Sequence, residues 1–257
     1  MNPNAGTSHG GPTQRAQDIT EGWVHQNMYC PACESDSLDR MPPSTKLIDF
    51  RCTSCDETFQ LKSHKRRFGR RVLDSAWSVM APAVRERRAP GFFFLEYQRE
   101  SWRVSRLFIV PGHFITPQTL ERKKTTPPTA HRPGWTGCFI LLGTVPEEAK
   151  ISVVNAPLIH APDEVRERWR RFAFVKNSRA EGRGWLSDIL ACVERLDKPE
   201  FTLAEMYGFE DELRDRHPRN LNIQPKIRQQ LQVLRRNGIV EFLGRGQYRL
   251  RVSSASC

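Results

Sequence analysis

Two matched cysteine steps, Cys30/Cys33 in YCPAC and Cys52/Cys55 in RCTSC, constrain this chain more than any other stretch. The gap between Cys33 and Cys52 falls within the roughly 15–20 residues of the four-cysteine zinc pattern. A short C-x-x-C turn presents two sulfurs from one knuckle, so two knuckles close a tetrahedron around zinc and leave no position open for a substrate. Disulfides or four core cysteines are the alternative readings, and the paired steps at this spacing favour zinc. The other three of the seven cysteines, Cys138, Cys192 and Cys257, have no such step, which suits a reducing cytosol.

The second knuckle predicts the tip of a hairpin. Leu47-Ile48-Asp49-Phe50 reads as one strand and Thr58-Phe59-Gln60-Leu61-Lys62 as its return. Side chains alternate along a strand, so Gln60 and Lys62 share a face, and Asp49 joins them if the register agrees. This Asp followed by Gln-x-Lys resembles the PD-(D/E)XK nucleases, with Ile48-Asp49 for PD and Gln60-Leu61-Lys62 for (D/E)XK. The resemblance implies that Asp49 and residue 60 hold magnesium while Lys62 steers the attacking water. A phosphodiester is anionic and unreactive, so a hard cation with oxygen ligands must offset developing charge and acidify its water. Gln60 departs from the pattern, leaving the site one negative charge short, although a glutamine carbonyl still ligates a hard cation. Restoring a carboxylate there is expected to keep or raise activity.

The net charge of +11 points to an anionic partner, nucleic acid first. Its densest stretch, SHKRRFGRR after Lys62, is either a solvated charge run or a surface that would grip a phosphate backbone without reading sequence. No apolar run approaches the ~20 residues of a membrane span. Residues 1–12 read as a disordered N-terminus. Gln14–Met28 reads as a helix, on which Glu21 is either a solvated face residue, the commoner case, or a candidate for one more acidic group. Val72–Val84 reads as a helix broken near Pro82, and GFFFLEY and VSRLFIVP as central strands of a sheet. Residues 111–137, rich in Pro, Gly and Thr, read as a long surface excursion carrying Trp135, an indole that could stack on a base or tuck back on the core. Strands at Cys138–Leu142 and Ile151–Val154 and a helix behind Asp163 lead to KNSRAEGRG, a polar linker and the expected domain boundary.

Beyond the linker the period becomes helical. Leu186, Ile189, Leu190 and Val193 share one face; Thr202 with Glu205 forms a capping box; and Ile227, Leu231 and Leu234 line a further helix. Ile239–Phe242 and Gln247–Leu250 then flank a turn with Arg245 at its tip. Three helices and this hairpin predict a winged helix, whose third helix enters the major groove. Lys226, Gln229, Gln230 and Arg236 are its expected outward positions, preceded by Asn220, Asn222 and Gln224. Asn and Gln pair bidentately with adenine, so an adenine-containing site is expected.

Taken together, TEGWV, YCPAC, FFFL, PPTAHRPGWTGC, EFTLAEMYGFE, KIRQQLQVLR and IVEFLGRGQYR resemble the methyl-directed restriction endonucleases of the DpnI type across nearly the whole chain. The resemblance implies an α/β PD-(D/E)XK core with inserted zinc knuckles over 13–182 and a winged-helix DNA-binding domain over 183–257. It implies a type II deoxyribonuclease that cuts GATC only when its adenine is methylated, with structural zinc and catalytic magnesium. Asp49, Gln60 and Lys62 would be catalytic, the Leu61 carbonyl would help hold magnesium, and Trp135 would pack at the methyl groups. Both domains would read the sequence, the second through Asn220, Asn222, Gln224, Lys226, Gln229 and Arg245. The expected partner is double-stranded DNA methylated at adenine in GATC, met by a cytoplasmic monomer. The alternative is a non-cleaving regulator that binds methylated DNA, for which Gln60 argues and Lys62 does not.

Overall fold

The computed structural model describes residues 1–2, 11–43, 45–129, 131, 133–178 and 180–251. The expectation of disorder over 1–12 falls mostly on residues outside that set. Pro12 already opens the first helix, and the Met1 ammonium donates to the Trp102 carbonyl at 2.9 Å.

In chain order the elements are α1 (Pro12–Asn27), β1 (Asp39–Arg40), β2 (Phe50–Arg51), β3 (Thr58–His64), β4 (Val72–Ala76), α2 (Trp77–Arg85), β5 (Gly91–Tyr97) and β6 (Val104–Val110). After them come β7 (Leu120–Arg122), β8 (Gly137–Ile140), β9 (Ile151–Asn155), β10 (Leu158–Ile159), α3 (Pro162–Arg171) and α4 (Ala173–Lys176). The C-terminal part holds α5 (Ala180–Arg195), β11 (Glu200–Thr202), α6 (Leu203–Tyr207), α7 (Glu210–Arg216), α8 (Ile223–Arg236), β12 (Val240–Gly244) and β13 (Gln247–Leu250).

A seven-stranded sheet in the order β1-β2-β3-β5-β6-β9-β10 carries the core; only β3 and β5 run parallel, joined by a crossover through β4 and α2. Every residue of β5 is buried, because both faces of the sheet are covered. Alternation sorts the run GFFFLEY between two hydrophobic layers: Phe93 and Leu95 pack with Phe59, Ile109, Val165 and Trp169 on one face, Phe92 and Phe94 with Phe108, Met80 and Phe114 on the other. Phe59 stacks on Phe93 with centroids 4.9 Å apart, and Phe94 on Phe108 at 5.0 Å. Gly112 allows the backbone to pass the Ala89–Pro90 turn, since a Cβ there would lie 2.2 Å from the Ala89 carbonyl oxygen.

Several sequence expectations need correction. Val72–Ala76 is a strand and only Trp77–Arg85 a helix, because Val72 and Asp74 are buried while Leu73 is exposed, a period of two rather than 3.6. That helix continues through Pro82 to Arg85. The first strand of the knuckle hairpin is short, as Leu47 takes a left-handed conformation (φ 66°) that turns the chain before Phe50. The excursion after Val110 is partly interior: Gly112–Thr116 are buried, and β7 pairs with β8 in a small sheet ordered β4-β8-β7. The polar linker is also shorter than expected, since α5 already begins at Ala180.

The C-terminal part builds a three-stranded sheet, β11-β13-β12, over α5 and α8, with Thr202 accepting from the Glu205 amide as the capping box requires. Two short helices, α6 and α7, stand where one was expected. Among the described residues no helix is long and apolar enough to cross a membrane.

Candidate active site and DNA interface

The four knuckle sulfurs lie within 4.8 Å of one another. Cys30 and Cys55 approach to 3.6 Å and Cys33 and Cys52 to 3.5 Å, close to the ~3.8 Å edge of a tetrahedron with Zn–S bonds of about 2.3 Å. Burial opposes ionisation of Cys52, but the amides of Cys55 and Ser54 and the neighbouring thiols outweigh it and bring its thiol down to about 6. Burial holds Cys30 well above the usual thiol range and raises Cys55 to about 11. Zinc is the ion that would turn all four into thiolates at once. From α3, the buried Arg166 donates to the carbonyls of Cys30 and Ser35 and bonds Asp36, bracing the first knuckle.

The hairpin beneath the second knuckle sets the catalytic candidates. Its register pairs Phe50 with Phe59 and Arg51 with Thr58, so Asp49 falls beside Gln60. Phe50 and Phe59 fill the core, while Gln60 and Lys62 take the opposite face of β3. Asp49 Oδ2 accepts from the Leu61 amide at 2.7 Å, and its carboxyl is raised, first by burial and further by the charges of Glu21 and Asp74. A residue's N–H and C=O leave a strand on the same edge, so the Leu61 carbonyl lies where its amide meets Asp49. Among the described residues no protein donor reaches Asp49 Oδ1.

Asp49, Gln60, Leu61 and Lys62 all line one cleft of about 1140 Å³, together with Glu21, Lys65, Arg71 and Arg99. Glu21 also lines this cleft, though Arg40 and Gln17 both bond its carboxylate. Smaller clefts beside it are walled by Lys65, Arg66, Arg67 and Arg99, and by Arg67, Arg70, Arg106 and Lys150. The basic run thus extends the cleft as a cationic surface. A carboxylate, a backbone carbonyl and an amide oxygen from residues lining one cleft form the oxygen-rich set that a hard divalent cation takes.

Asp74 is the residue that sequence reading missed. Its side chain is fully buried, it forms an ion pair with Lys62, and Oδ2 accepts from Ser75 Oγ at 3.2 Å. The Gln60 amide sits between these charges: Nε2 donates to Asp74 Oδ1 at 3.2 Å and Oε1 accepts from Lys62 Nζ at 3.2 Å. The reverse orientation would set acceptor against acceptor. The available signal was the alternation of Val72, Leu73 and Asp74, hidden by the helix-like composition that follows.

Trp135 does not line that cleft. Half-buried, it lies across Gly137, where a Cβ would meet its ring at 2.3 Å, and Lys123 Nζ stands 5.9 Å from its centroid. Thr126 clasps its backbone from the facing strand of the loop.

In the winged helix, Ile227, Leu231 and Leu234 are buried as expected. Gln230 is buried too, correcting its assignment as outward: three residues past Ile227 and four before Leu234, it belongs to the inward stripe. Gln229 and Arg236 are exposed, as is Arg228, which the sequence reading passed over. Asn220 Oδ1 accepts from the Asn222 amide and so shapes the turn into α8, while Gln224 donates to Glu210. Lys226 is half-buried at the first turn of that helix, and Arg245 stands exposed at the wing tip in a left-handed conformation (φ 48°).

A zinc-knuckled α/β nuclease core followed by a winged helix is the class of protein these features define. Comparison with known families agrees: the DpnI model, described as the Dam-replacing family, matches residues 1–178, and the Dam-replacing HTH domain matches 181–250. The chain belongs to the DpnI, Dam-replacing family.

Proposed function

We propose that this chain is a type II restriction endonuclease that hydrolyses double-stranded DNA at GATC when its adenine is methylated, with Asp49, Gln60 and Lys62 as its catalytic residues. The observation that carries the reading is the convergence of those three side chains on one face of one hairpin, in a cleft bordered by arginines and lysines. Magnesium, held by Asp49, the Gln60 carbonyl and the Leu61 carbonyl, would acidify the attacking water and offset charge on the phosphate. Lys62 adds a fixed cation where that water approaches. Asp49 is oriented by the Leu61 amide, so its second oxygen is the one offered to a cation. The cationic walls hold the backbone, and their contacts carry no sequence information. Reading falls to Trp135 and to the winged helix, through Asn220, Asn222, Gln224, Lys226, Gln229 and Arg245.

The neutral residue at position 60 is what favours the rival reading, a methylated-DNA binder that does not cut. Incubating methylated duplex and magnesium with the wild-type chain and with Asp49→Ala separates the two. Cutting by the wild type, with Asp49→Ala bound to the duplex but inert, supports the nuclease; equal cutting by both removes Asp49 from the chemistry.

A further inference from the structure

Asp74 has no role in the mechanism above, yet its partners are the side chains that mechanism uses. It is a fully buried carboxylate, and Oδ1 engages two cleft-lining side chains of β3 at once, Lys62 as an ion pair and Gln60 as an amide donor. A buried carboxylate is costly to desolvate and persists only where partners satisfy it. Here those partners are two of the three residues assigned to chemistry. Asp74 itself does not line the cleft, so it touches neither the DNA nor the reacting atoms.

We propose that Asp74 is a positioning residue: its carboxylate, on the face to which Gln60 and Lys62 project, fixes the Lys62 ammonium and turns the Gln60 amide so that Oε1, its one metal-ligating atom, faces away from Asp74. The local fold supports this assignment. The pairing of β4 with β8 is broken between Leu73 and Ala76, so the irregularity falls at Asp74 and Ser75, and such bulges re-aim side chains beside active sites. Ser75 Oγ and Cys138 Sγ point at Oδ2, occupying the other oxygen and leaving Oδ1 to the two cleft residues. In a glutamine the two ends of the amide differ, so a neighbouring charge decides which atom is presented. With a carboxylate at position 60 the two ends would be equivalent. Gln60 therefore makes this site more dependent on Asp74 than a carboxylate there would.

The proposal rests on the nuclease reading, and its test keeps the two apart. Single-turnover cleavage of methylated duplex, duplex affinity without magnesium, and melting temperature are measured for the wild type, Asp74→Asn, Lys62→Met and Lys62→Met/Asp74→Asn. Asp74→Asn is expected to slow cleavage at least tenfold with affinity changed less than twofold. Lys62→Met is expected to lower the melting temperature, and adding Asp74→Asn to it to recover at least half of that loss, because the stranded charge is gone. A purely structural Asp74 would lose melting temperature additively and would leave the rate constant of the folded protein unchanged. Wild type and Asp74→Asn cutting at the same rate, or additive melting losses, overturn the positioning role and leave the nuclease reading standing. A wild type that binds without cutting sinks the nuclease reading first, and the role of Asp74 with it.

Discussion

Replacing Cys52 with serine should show how far the zinc knuckle and the cleavage cleft are one device. Structural zinc contributes about 10–16 kcal/mol to the small domains it folds, as much as the ~5–15 kcal/mol that separates most folded chains from unfolding. This chain has a large sheet besides the knuckle, so losing the metal is expected to open the knuckle rather than unfold everything. The hairpin it closes is short on one side: β2 is two residues long and makes two pairs with β3, with the buried Phe50 and Phe59 and the backbone bond from the Asp49 amide to the Phe59 carbonyl holding its base. Asp49 lies just outside those pairs, its position depending on the hairpin and on the Leu61 amide. A net loss of about 3 kcal/mol, a modest part of the zinc contribution, corresponds to roughly 6–12 °C in melting temperature for a chain of this size. Elemental analysis should find one zinc in the wild type and less than one in Cys52→Ser. The variant should melt lower by that margin and fail to cleave at any magnesium concentration, while its winged helix still binds DNA. Wild-type cleavage by a zinc-free Cys52→Ser protein would refute the coupling, and purified wild type without zinc would refute the site.

Gln60→Glu should keep or raise cleavage and lower the magnesium required. Because its carboxylate would lie against Asp74, the metal-free variant should melt below the wild type and magnesium should restore it; a variant that cuts far more weakly contradicts the role of residue 60. Burying a methyl group against an indole gains about 0.8 kcal/mol, near fourfold in affinity. Trp135→Ala should therefore cut poorly and lose most of the methyl preference in cleavage while the full chain still binds methylated over unmethylated duplex, and equal affinity for the two would leave Trp135 as the only methyl reader. Burial raises the Glu194 carboxyl from 4.5 to about 7 against the opposing amides of Glu147 and Glu148. Between those values the folded state keeps a proton that the unfolded chain has released, so the stability this group contributes is full below pH 4.5 and is lost as pH rises through 7. Glu194→Gln should thus raise the melting temperature above pH 7 relative to the wild type by an amount that shrinks toward pH 4.5, and a constant offset across that range would contradict the assignment.

What could be read in advance was what local chemistry dictates. Two C-x-x-C steps allow few alternatives, and the hairpin around the second of them brings Asp49 beside Gln60, with Lys62 two residues on and so on the same face of β3. The stripes of α5 and α8 and the Thr202–Glu205 box were legible for the same reason. Nonlocal pairing was not. Val72–Ala76 becomes a strand only because β8 lies alongside, and Asp74 matters only because β4 brings it to the side chains of Gln60 and Lys62, a juxtaposition that no spacing encodes. Likewise KNSRAEGRG looks like a linker in isolation, but Trp185, stacked on His217 at 3.9 Å, and Arg183, donating to the Val84 carbonyl, anchor the start of α5 in the core. Gln230 shows the opposite failure, a polar residue whose place on the inward stripe outweighs its chemistry.

One digestion decides between methyl-directed cleavage and binding without cleavage. The same GATC-containing plasmid, prepared with and without adenine methylation, is incubated with the chain and magnesium, and with EDTA as control. A methyl-directed nuclease gives discrete fragments from the methylated plasmid alone, and none in EDTA. Intact methylated plasmid beside tight, methyl-dependent binding would contradict it and leave the non-cleaving reader in its place.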